Sequence, residues 1–79
     1  MCMEVVGHVI SIDDAAAVAL VHTASGTRRV SLALLRLEGG DAAAGDWVLS
    51  HTGIVVARIG EDDARRIADE QAEMRARPT

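Results

Sequence analysis

The chain reads as an all-β protein, a small barrel or sandwich of about five strands followed by a C-terminal α-helix, on three observations. Between Glu4 and Ile59, short runs rich in Val, Ile and Leu alternate with Gly, Asp and Ser punctuation, the pattern of strands and turns. From Glu61 onward the chain turns charged, acidic at its start and arginine-bearing near its end, as the helix dipole favours. The length of 79 residues allows a single domain over 1–79, with the barrel at about 4–59 and the helix at about 61–77.

The first strand is expected at Glu4–Ile12, with Val6, His8, Ile10 and Ile12 on one face and Val5, Gly7, Val9 and Ser11 on the other. Asp13-Asp14 supplies a turn into a second strand, Ala16–His22. Ala24–Thr27 has hairpin chemistry and leads into a third strand, Arg28–Leu35, antiparallel to the second. Arg28-Arg29 reads as a solvated edge position that discourages strand-to-strand association, ahead of a role in docking to an acidic partner patch. The glycine- and alanine-rich segment Arg36–Gly45 reads as an excursion between two halves of the barrel, with room for a helical turn. Asp46–Thr52 and Ile54–Ile59 complete the sheet, joined at Gly53 by a bulge, a sharp bend or a hairpin. Trp47, the sole aromatic, is the expected large filler of an otherwise aliphatic core. In the helix, Ala64, Ile67, Ala68 and Met74 form a thin apolar edge for docking onto the barrel, and Pro78 ends it.

Composition excludes several classes of function. A net charge of −4 opposes a phosphate backbone, and the absence of Tyr and Phe removes stacking platforms, so no nucleic-acid partner is expected. No apolar run approaches the roughly 20 residues of a membrane-spanning helix, and no basic leader precedes an apolar stretch, so no membrane partner is expected either. No Cys-His-Asp arrangement, phosphate-cradling glycine loop or paired-carboxylate motif stands out, so the chain is not read as an enzyme.

The one cysteine, Cys2, directly follows Met1. A lone thiol survives best in a reducing compartment, which points to the cytoplasm. At a chain end its sulfur suits chemistry better than packing. Removal of Met1 is expected before so small a residue and would leave Cys2 with a thiol and an α-amino group, two metal donors with ordinary pKa values of about 8.5 and about 7.7–8.0. His51 shares a strand face with Trp47 and Leu49 and is either a packed histidine or a second donor. His8 and His22 fit no ligand spacing and read as ordinary strand residues.

The opening MCMEVVG, the tract GDWVLSHTGIVVARIG and the terminal EDDARRIADEQAEM occur in an order that resembles the HypC/HupF family of hydrogenase assembly chaperones. The resemblance covers nearly the whole chain. It implies a barrel of the oligonucleotide-binding (OB) topology with a C-terminal helix. It also implies a carrier that works with HypD, transiently holding iron as Fe(CN)2(CO) and passing it to the hydrogenase large-subunit precursor. Residue by residue, it implies Cys2 and His51 as metal donors, and Cys2, Met3, Gly7, His51 and Gly53 as partner contacts. The free chain is expected to be a monomer. One departure stands out: where the family has a small residue and then hydrophobic-Pro-Gly, this chain has Glu4-Val5-Val6-Gly7. Without the proline, φ is freed and an N–H restored, so the segment either loosens or lengthens the strand. Such a departure admits a divergent paralogue acting as a general metal-binding or protein-interaction module, or a thiol-dependent enzyme, as rival readings.

Overall fold

The computed structural model describes residues 4–76. In chain order it holds β1 (Val5–Asp13), β2 (Val18–Thr23), β3 (Gly26–Ser31), α1 (Ala33–Leu37), β4 (Trp47–His51), β5 (Ile54–Ile59) and α2 (Glu61–Ala76). The strands close in the order β1-β2-β3-β5-β4, an OB-like barrel with a C-terminal helix, as expected. Closure between β3 and β5 rests on a single parallel pair, Ser31 with Ile54.

Side-chain alternation along β1 is interrupted between Val9 and Ser11, where the register against β2 shifts. Gly7 and Val9 lie buried, Ile10 is thrown outward at 49% exposure, and Ile12 rejoins the core beyond the shift. Strict period two, with Ile10 and Ile12 on the face of Val6 and His8, therefore fails, because a bulge adds one residue and inverts the faces after it. The missing proline lengthens the strand: β1 already begins at Val5, and Val6 pairs with Leu49.

The third strand stops at Ser31, four residues short of the expected end, and Ala33–Leu37 forms a short helix instead. Leu32 and Leu35, three apart, then turn the same way and are buried at 0% and 8% exposure, which a strand continuing through them would not allow. The core they close is aliphatic, built on Val21, Val30, Val48 and Val55. Arg36 clamps the segment after α1, donating to Asp14 at 2.7 Å and to Asp41 at 3.1 Å. Those bonds raise the Arg36 pKa above its ordinary value. The Ala42 N–H and then Arg36 hold the Asp41 carboxyl below the usual aspartate range.

Thr52 and Gly53 form a two-residue hairpin between β4 and β5, with φ of 53° and 83°. Positive φ at both central positions matches the right-handed strand twist, so the link is a hairpin rather than a bend. Glycine takes that conformation freely, whereas a β-branched threonine does so under strain.

Helix α2 packs across β1 and β4 on the outside of the barrel. Ala64 is fully buried there and Ile67 half-buried, but Met74 stands 59% exposed, and Gln71 bonds to the Glu4 carbonyl just ahead of β1. The docking edge is therefore shorter than the apolar spacing suggested. Surface pairs Arg65–Glu61 at 2.8 Å and Arg66–Asp63 at 3.1 Å add about 0.3–0.5 kcal/mol each to the helix.

Candidate functional site

Strand register assembles a row that sequence spacing does not show. His8 of β1 lies opposite His22 of β2 on one side and Trp47 of β4 on the other, and Trp47 lies opposite Ile59 of β5. Directly paired residues share a face, so the row crosses the outside of the barrel next to α2. The His8 and Trp47 rings stack with centroids 4.3 Å apart and planes at 16°. His8 Nε2 donates to the Gly45 carbonyl at 3.1 Å. Gly45 is itself fastened to β1, since its N–H donates to Val9 O at 2.9 Å. Trp47 is thus half-buried on the outer face rather than filling the core, because the inward position in its neighbourhood belongs to Val48.

Beside this row a cleft of about 360 Å³ opens between β1, the β2–β3 turn and α2. Its wall includes His8, His22 and Trp47 from the sheet and Ala68, Gln71 and Ala72 from the helix, with Glu4 at its rim. Gln71 Nε2 donates to the Glu4 carbonyl and ties the start of the described chain to the middle of α2. The helix therefore does two jobs: it covers the outer face of β1 and β4, and it fixes where the N-terminal segment enters.

His51 sits one residue beyond the last β1–β4 pair, Val5 with Ser50, and so stands beside Glu4. It is exposed, and its imidazole makes no hydrogen bond among the described residues. Trp47 and His51 are four positions apart on β4, roughly 13 Å at strand rise, so His51 and the His8–His22 pair flank the N-terminal entry from different places. Thr52, the strained hairpin residue, donates its hydroxyl to the His51 carbonyl at 2.7 Å. Strain next to a candidate donor is where function concentrates it.

Cys2 and Met3 lie outside the described residues. Gly7 is buried in β1, where a Cβ would come within 2.9 Å of Val21 Cβ, so its part is to let two strands' side chains close on each other. Gly53 is exposed at the hairpin. Among the described residues no three His, Cys, Asp or Glu side chains gather to hold a metal ion, so a metal bound here needs donors from beyond them. His8, His22 and Gln71 were not legible as site residues. Only the antiparallel register and the docking of α2 bring them to the N-terminal entry.

An OB-like barrel whose C-terminal helix is fastened to Glu4, with His8 and His22 along the adjacent cleft, defines a small β-barrel scaffold. Comparison with known families makes that class particular: the profile of the HupF/HypC family matches residues 1–70, and the chain belongs to that family. No curated protein matches it. Among the described residues no helix is long and apolar enough to cross a membrane.

Proposed function

We propose that this protein carries or delivers the Fe(CN)2(CO) unit, together with HypD, to the precursor of the nickel–iron hydrogenase large subunit, with Cys2 as the transient thiolate donor. Membership of the HupF/HypC family supports the general role of a hydrogenase maturation chaperone, and that membership is the observation that carries the reading. A thiolate is a soft, strongly donating ligand suited to iron that already holds cyanide and carbon monoxide. Gln71 fastens Glu4, two positions from Cys2 in the chain, beside the cleft of His8 and His22. His51 beside Glu4 is the proposed second donor, and the remaining ligands come from HypD or from the diatomic groups.

Anaerobic co-expression with HypD, followed by infrared spectroscopy of the purified complex, tests the proposal. Cyanide and carbonyl bands are expected with the wild type and are expected to be lost with Cys2→Ala. Equal bands in both would show that Cys2 does not hold the cargo.

A further inference from the structure

Along β3 one side of the ladder is left open after a single pair among the described residues. Its single pair with β5 is at Ser31, whose N–H donates to Gly53 O at 2.8 Å. Main-chain groups point to alternate sides along a strand, so those of Arg29 and Thr27 face the same side as Ser31. No strand partner meets them there among the described residues. A bare edge thus runs from Gly26 to Val30, about 13 Å long.

The same edge carries unsatisfied charge. Arg36, Arg58, Arg65 and Arg66 each have a carboxylate within 3.8 Å, whereas Arg28 and Arg29 have none among the described residues. Both arginines border a cleft of about 390 Å³ between β3 and the β4–β5 hairpin. Thr23, Ser25, Ser50 and Thr52 line it, and no Asp or Glu does. Arg28 Nη2 donates to Ser25 Oγ at 3.3 Å, which holds the guanidinium over this side. In a chain of net charge −4, two neighbouring arginines with no ion-paired acid among the described residues mark a local preference for anions rather than a general one.

We propose that β3 receives an extended acidic segment of a partner protein, added as a further strand, with two consecutive acidic residues read by Arg28 and Arg29. Register sets the spacing. Arg28 pairs with Val21 and follows the inward face, while Arg29 pairs with Leu20 and follows the outer face. Neighbouring residues of an added strand also point to opposite faces, so adjacent acids meet both guanidinium groups, whereas acids two apart crowd onto one. Main-chain bonding to Thr27 and Arg29 supplies the affinity, and the arginines supply the selection. The inference goes beyond the iron-carrier reading and does not depend on it, since it uses neither Cys2 nor His51.

The test uses fluorescein-labelled hexapeptides and the full chain. Thr-Val-Glu-Glu-Val-Thr is expected to bind saturably, and Thr-Val-Gln-Gln-Val-Thr about tenfold or more weakly. The spaced-acid peptide Thr-Glu-Val-Glu-Val-Thr should fall between them. An Arg28→Gln/Arg29→Gln variant, with an unchanged melting temperature, should bind the Glu-Glu peptide no better than the Gln-Gln peptide. Amide resonances of Thr27 and Arg29 should shift on binding and gain protection from hydrogen exchange. Absence of saturable binding up to about 1 mM would overturn the proposal. So would equal affinity of wild type and variant, or tighter binding of oligo-dT than of the Glu-Glu peptide at the same arginines. The infrared bands of the HypD complex read a different residue, so either idea can fail while the other stands.

Discussion

The two sides of the barrel flanking the β2–β3 hairpin are built to opposite rules. On the α2 side, the outer face of β1 and β4 is covered by a helix, stacked rings and a side-chain bond from Gln71, so packing and the position of Glu4 are one structure. On the β3 side the ladder is left open after one pair, and the side chains there are long, charged and exposed. Substitutions on the first side should therefore act through stability, and those on the second through binding with stability untouched.

Trp47→Ala tests this most forcefully. It removes a half-buried indole and the stack on His8, with an expected loss of about 2–3 kcal/mol in denaturant unfolding. Gly7→Ala comes next, at about 1–3 kcal/mol, because the new Cβ meets Val21 Cβ at 2.9 Å in a packed wall. An unchanged melting temperature for Gly7→Ala would show that the β1–β2 wall yields more easily than its packing implies. Gln71→Ala should cost about 1 kcal/mol and raise hydrogen exchange at the start of β1 while leaving β3 unaffected. At the hairpin, Thr52→Asn should stabilise by about 0.5–1 kcal/mol, since Asn accepts positive φ more readily than a β-branched residue. The double change of Arg28 and Arg29 to Gln should move stability by no more than about 0.5 kcal/mol, the smallest effect of the series. Any larger loss there would erase the contrast between the two sides.

Acid titration probes a third, smaller contact. Asp41 is held below the usual aspartate range by the Ala42 N–H and by Arg36, so its folded-state pKa is depressed. Its contribution is then present above the unfolded carboxylate value and is lost as pH falls through the lower folded one. Carboxyl NMR shifts should show Asp41 titrating below an ordinary aspartate, and Arg36→Gln should bring it part of the way back, leaving the Ala42 bond in place.

Much of the fold was legible because strands and turns leave local marks. Val5–Asp13, Trp47–His51 and Ile54–Ile59 fall within a residue or two of their expected bounds, set by β-branched runs and the flanking Asp and Gly. Leu32–Leu35 misled, because a leucine-rich run fits a buried strand and a short helix equally well until the barrel end requires Leu32 and Leu35 to point the same way. At the site, His51 stood out through its tract, while His8 and His22 looked ordinary, since fourteen residues of separation say nothing about facing positions on paired strands.

By itself the sequence determined the class of the fold, the strand-to-helix switch at Glu61, the family, and the lone thiol at Cys2. The fold class and the switch follow from composition and local periodicity, and the family from the tracts that resemble it. Tertiary structure alone decided that His8, His22 and Trp47 share a row, that Gln71 fastens Glu4, and that β3 keeps a bare edge under Arg28 and Arg29. These depend on register and closure, which are set by which distant strands meet in three dimensions, and no short window of residues contains that information.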